Sequence, residues 1–141
     1  MDEETTFAVW RIDGVDVVRV EGVLDLVATV RLRLTLFGRL DAGARHIAVD
    51  LSRVRLIDAS TVNVLLRVRE RLAENDGSLV ARGASGLVLQ VLEIAGVAKQ
   101  LGAYDPLAER LADPSADTAV TAPAANSSHG QWAIWSTRRS A

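Results

Sequence analysis

Two runs near the start of the chain, residues 7–12 and 15–20, are rich in β-branched residues and are separated by Asp13-Gly14. Asp-Gly between two such runs is a good local signal for a tight hairpin, so the chain is expected to open with two antiparallel strands. Over residues 26–40 the period changes. Ala28, Leu32, Leu36 and Leu40 recur every fourth residue, with Asp25 ahead of them as an N-cap, and Asp41-Ala42-Gly43 ends the predicted helix. Ile47, Val49 and Leu51 then alternate along a third strand, predicted over 46–51.

Residues 52–58 read as a loop leading into a second helix over 60–74. Leu65, Leu66, Val68 and Leu72 give this helix a wide apolar face, and Asn63, Arg67, Glu70 and Glu74 form its outer stripe. Asn75-Asp76-Gly77 breaks it, and residues 78–82 are the fourth strand. Ser85 caps a third helix over 87–95, which Gly96 closes. A short strand at Ala103-Tyr104 and a helical turn or two over 106–111 complete the pattern. Strands alternating with helices predict an α/β fold: a mixed, mostly parallel sheet of four to five strands with helices packed on it.

The first helix carries a second apolar row, Leu26, Val30, Leu34 and Phe37, on a different side from the first. The row is either a partner or dimer surface or part of a wider buried face, and Leu89 on the third helix poses the same alternative. Residues 114–130 are almost all Ala, Ser, Thr, Pro and Asp, too poor in apolar area to offset the cost of ordering. The expected organisation is one domain over 1–112 and a flexible tail over 113–141. Within that tail Trp132 and Trp135 are unusually apolar, and a frayed terminus is expected there in preference to a docking motif.

A length of 141 residues suits one domain, and 49% apolar against 24% charged residues suits a folded one. The formal net charge is −2 with both signs interspersed, which leaves no basic face for a nucleic acid. The absence of cysteine removes disulfides, thiolate metal sites and thiol nucleophiles, and suits a reducing compartment. Met1-Asp2-Glu3-Glu4 is acidic where a signal peptide is basic, and no apolar run approaches the ~20 residues that span a bilayer. Arg138-Arg139 alone makes no membrane anchor. The chain is expected to be cytoplasmic, away from membranes, and a monomer or weak homodimer.

Catalytic chemistry is hard to place. The two histidines, His46 and His129, belong to no ligand or triad pattern, and no phosphate-binding or nucleophile-elbow motif occurs. Asp50 and Asp58 bracket one loop and could act as an acid–base pair, but carboxylates at strand ends more commonly cap backbone. No enzyme activity, cofactor or metal is expected.

The segment with most character is Val49-Asp50-Leu51-Ser52 through Ile57-Asp58-Ala59-Ser60-Thr61: a strand, a short loop, an acid, small residues and a helix start. Asp58 or Ser60 can cap that helix, whose free N–H groups and positive dipole end would face outward at the carboxyl edge of the sheet. Phosphate on a hydroxyl there would add about two negative charges beside Asp58 and alter any surface docking on it. From the residues alone, Ser60 reads first as an N-cap.

Over about residues 7–112 the chain resembles the STAS domain of bacterial anti-sigma factor antagonists. Gly22-Val23-Leu24-Asp25 is similar to that family's G-E-L-D turn, and Leu32-Arg33 falls where it has L-R. Val49-Asp50-Leu51-Ser52 with Ile57-Asp58-Ala59-Ser60 resembles its strand and D-S-S/T-G switch loop, and Ser85 with Val91-Leu92-Glu93-Ile94-Ala95-Gly96-Val97 its third helix. The resemblance implies partner switching. The protein would bind an anti-sigma factor with a serine-kinase fold, release the sigma factor it holds, and be switched by phosphate on the serine after the loop aspartate. Asp25, Asp58, Ala59, Ser60, Thr61 and Asn63 would form the partner-binding edge.

The chain departs from that pattern at the acceptor itself, where Ala59 has no hydroxyl and Thr61 replaces the motif's glycine. Either Ser60, the phosphorylation candidate, or Thr61 has taken over, or phosphate does not switch this loop. The last reading is favoured, because shifting one residue along a helix turns a side chain by about 100°. A scaffold subunit of a larger STAS-containing signalling assembly is the alternative role the family offers.

Overall fold

The computed structural model describes residues 4–104 and 133–138. Strand β1 (Glu4–Ile12) and strand β2 (Val15–Val23) form the expected antiparallel hairpin. Both turn residues, Asp13 and Gly14, have positive φ, at 50° and 80°, the backbone that Asp-Gly tolerates. Helix α1 (Leu26–Asp41), strand β3 (His46–Leu56), helix α2 (Ala59–Ala73), strand β4 (Ser78–Arg82) and helix α3 (Gly86–Ile94) follow, and strand β5 (Ala133–Arg138) comes last. The sheet order is β4-β3-β2-β1-β5. The β2–β3 and β3–β4 pairs are parallel, and β1 is antiparallel to both of its neighbours. The sheet is therefore mixed, as expected.

One face of the sheet carries the helices. Phe7, Val9, Val18, Val20, Ile47, Val49, Leu51 and Ala81 pack there against Leu32 and Leu36 of α1, Leu65, Val68 and Leu72 of α2, and Val88 and Leu92 of α3. Trp10, Val17 and Ala48 form a second, smaller cluster on the other face.

Three expectations are corrected. Strand β3 runs to Leu56, so the loop before α2 shrinks to Ile57-Asp58. Its last third pairs only with β2, through Glu21↔Arg53, Gly22↔Val54 and Val23↔Leu56, since the β4 ladder ends at Asp50↔Arg82. A strand paired on one side tolerates the exposed Ser52, Arg53 and Arg55, which therefore look like loop residues. Ala103-Tyr104 is a turn, because Leu101 uses its carbonyl to accept the Ala81 N–H and so covers the β4 edge one step earlier. Ala133–Arg138, expected to be frayed, pairs with β1 from Glu4↔Arg138 to Val9↔Ala133. The predicted turn over 106–111 and residues 113–132 lie outside the described residues.

Candidate functional site

Both parallel crossovers begin at the same edge of the sheet, where β2 ends before α1 and β3 ends before α2. An Asp fills the cap position each time. Asp25 is extended and its carboxylate accepts the Ala28 N–H at 2.9 Å. Asp58 is also extended, and its Oδ1 accepts the N–H groups of Ser60 at 2.9 Å and Thr61 at 3.3 Å. The Asp58 N–H in turn faces the Thr61 hydroxyl at 3.5 Å, which closes a capping box. The Ser60 hydroxyl donates to the same carboxylate at 2.5 Å. That bond, aided by the Thr61 and Ser60 N–H groups, holds the Asp58 carboxyl below its ordinary pKa.

Two contacts tie the edges together. The Leu24 N–H donates to the Leu56 carbonyl at 2.9 Å, and the Thr29 and Thr61 hydroxyls meet at 2.9 Å. The two caps thus form one rim, with Asp58, Ala59 and Asn63 exposed and Asp25 and Ser60 half-buried. Thr61 is different. It is fully buried, so its hydroxyl serves the interior of the rim and presents nothing to a partner.

Sequence reasoning missed the groove beside the rim. Ala59, Val62, Asn63 and Leu66 of α2 face Val91 and Ile94 of α3, with Ala95 and Val97 beyond, around a mostly apolar space of about 440 Å³. Ile94 stands exposed at its lip. The alternation of Val62 and Leu66 with Asn63 carried the signal, but only the docking of α3 makes it a groove. Ser85 occupies the cap position of α3 as expected, though its side chain makes no capping hydrogen bond.

Asp50 takes no part in the rim. It is fully buried on the sheet face away from the helices, where its carboxylate pairs with Arg19 at 3.0 Å and Arg82 at 2.7 Å and accepts from Ser52 N and Oγ. Four donors on one carboxylate leave it no capacity for acid–base work with Asp58. Arg19 also lies over the Trp10 ring, 5.1 Å from its centre. His46, at the opposite end of β3, is exposed and its Nδ1 lies 2.9 Å from the Ser78 hydroxyl. Among the described residues no cluster of His, Asp and Glu could hold a metal ion, and no helix is long and apolar enough to cross a membrane.

Residues 8–107 match the family model described as Mlab, STAS domain. A Bordetella bronchiseptica protein named as anti-sigma factor antagonist BtrV is 30% identical over 86 residues, 61% of this chain and 74% of that one. Among solved structures, an anti-sigma factor antagonist from Mycobacterium paratuberculosis superposes with a TM-score of 0.68 at 22% identity, over 76% of this chain and 91% of the other. The antagonist SpoIIAA, solved unphosphorylated, gives a TM-score of 0.61 at 23% identity over 66% of this chain and 83% of its own. Its phosphorylated form gives 0.56 at 22% over 67% and 86%. At these identities the structures bear on fold alone.

Proposed function

Because this chain belongs to the STAS domain family of anti-sigma factor antagonists, we propose that it captures an anti-sigma factor at the Asp25–Asp58 rim and so frees a sigma factor. The observation that carries the reading is the pairing of a fixed, exposed carboxylate with an adjoining apolar groove. Asp58 is locked in place by the Ser60 and Thr61 donors, and Val62, Leu66 and Val91 line the groove next to it. A charged anchor beside a desolvating apolar patch is the composition from which binding hot spots are built.

In this reading Asp25, Asp58, Ala59, Ser60 and Asn63 meet the partner, and Thr61 positions Asp58 from behind. The partner is an anti-sigma factor of serine-kinase fold, the chain itself is cytoplasmic, and it catalyses nothing. Ala59 stands where the family's switch serine would be, and the Ser60 hydroxyl is engaged with Asp58, so the antagonist stays in its binding form without a phosphate cycle.

Calorimetry of the full chain with its anti-sigma factor tests the proposal. A one-to-one complex is expected, lost in Asp58→Arg and in Ile94→Glu while both variants melt cooperatively. Ile94 is 80% exposed, so its replacement leaves the core intact. Absence of a complex, or unchanged affinity in both variants, would overturn it.

A further inference from the structure

Helix α1 is apolar on two opposite sides. Ala28, Leu32 and Leu36 face the sheet. About half a turn away, Leu26, Val27, Val30 and Leu34 are 66%, 55%, 42% and 58% exposed. Phe37, which the sequence placed in the same row, packs instead against the core beneath Arg71, whose guanidinium lies 5.8 Å from the ring centre. The remaining four residues form a ridge at spacings of three and four, the spacing by which one helix packs against another. Next to Leu34 the ridge falls away into a shallow groove lined by Arg31, Thr35, Gly38 and Arg39. Gly38 has open space where a side chain would stand, so a neighbouring helix could approach closely there.

Charge narrows the occupant. Arg31 and Arg33 are exposed and flank the ridge on its two sides, and neither is paired among the described residues. No acidic residue occurs on α1 before its last position, Asp41. We propose that this ridge is a second docking surface, separate from the rim, for an amphipathic helix of another protein whose apolar row is flanked by acidic side chains. Two copies of this chain packed ridge to ridge about a two-fold axis would set the mid-helix arginines against each other, with the acid of α1, Asp41, about two turns beyond Arg33. An anionic bilayer would meet the exposed Asp41 at the end of the ridge and repel it.

The test uses the full chain and three labelled helical peptides with one shared apolar row, flanked by Glu, by Gln or by Lys. Fluorescence anisotropy should rank Glu above Gln above Lys, with about tenfold between the extremes. Leu34→Glu should abolish binding, and Arg31→Glu with Arg33→Glu should reverse the order, both with unchanged melting because the replaced side chains are exposed. Amide shifts should map to residues 26–38. Asp58→Ala should leave peptide binding unchanged, which separates this surface from the rim. Equal or absent binding of the peptides would overturn the proposal, as would shifts confined to the α2–α3 groove. So would a dimer in light scattering that Leu34→Glu dissolves, or cosedimentation with phosphatidylserine vesicles that the double arginine variant abolishes.

Discussion

The hydroxyls of Thr29 and Thr61 meet at 2.9 Å inside the protein and join the first turn of α1 to the first turn of α2. Both residues are buried, and Thr61 also closes the capping box with the Asp58 N–H. Thr61→Val keeps the shape but takes the hydroxyl from the Asp58 N–H and leaves the Thr29 hydroxyl only its longer bond to the Leu24 carbonyl at 3.4 Å. It is expected to cost about 1–3 kcal/mol in urea unfolding, the penalty for leaving buried polar groups unpaired. Thr29→Val with Thr61→Val should cost less than the sum of the two single changes, since the double variant removes both ends of the bond.

Asp58 links stability to acid. Its folded pKa lies below the ordinary carboxylate value, chiefly through the Ser60 hydroxyl, with the Thr61 and Ser60 N–H groups assisting. The stabilisation is therefore complete above the unfolded pKa of about 3.9 and is lost as pH falls through the lowered folded value. Asp58→Ala should destabilise the protein by about 1 kcal/mol at neutral pH, as for other N-caps. Melting curves from pH 7 to pH 2 should converge for wild type and Asp58→Ala at the acid end. A constant gap between them would show that the cap acts without its charge.

Much of this rim could be read from the residues, because caps are local. Asp25 precedes an apolar-periodic run by the spacing that an N-cap requires and forms that cap, but at α2 the cap is Asp58 and not Ser60, which reads first for that place and instead stands inside the first turn with its N–H bound to Asp58. The Asp-Gly hairpin was legible for the same reason. Properties set by distant neighbours were not. Thr61 looks like a surface residue of the first helical turn until Thr29, 32 positions away, buries it. The length of β3 depends on where β4 stops pairing, and the partner of residues 133–138 is β1, at the other end of the chain. The two apolar rows of α1 were visible in the sequence. Which of them faces water was decided only by packing on the sheet.

Asp50 shows the same dependence on distant residues, and it predicts a large effect. Its carboxylate joins β2 to β4 through Arg19 and Arg82 while fully buried. Asp50→Ala would leave two largely buried guanidinium groups without their shared counter-charge, at a cost of about 3–5 kcal/mol. Guanidinium chloride would not serve as a denaturant here without adding salt effects, so urea melts are the check. Replacing Asp50, Arg19 and Arg82 together by apolar residues of similar size should recover part of the loss. Similar stability for Asp50→Ala and wild type would mean that the arginines find other partners.

The last prediction concerns phosphate. Position 59 is exposed at the first residue of α2 but carries only a methyl group. Ser60 carries a hydroxyl, but that hydroxyl donates to Asp58 and lies about 100° further round the helix. Thr61 is sealed in the interior. A kinase must hold the attacking oxygen in line with the transferred phosphoryl group, and a small misplacement is enough to cost orders of magnitude in rate. Incubation with the anti-sigma kinase proposed above as partner, and ATP, should therefore leave the wild-type chain unmodified by mass spectrometry. Ala59→Ser should gain one phosphate, located at residue 59 by peptide sequencing. That phosphate would sit beside the Asp58 carboxylate, and repulsion between the two should weaken anti-sigma factor binding in the variant alone. Stoichiometric phosphate on wild-type Ser60 would refute the assignment, because it would mean that the rim opens enough to free that hydroxyl from Asp58.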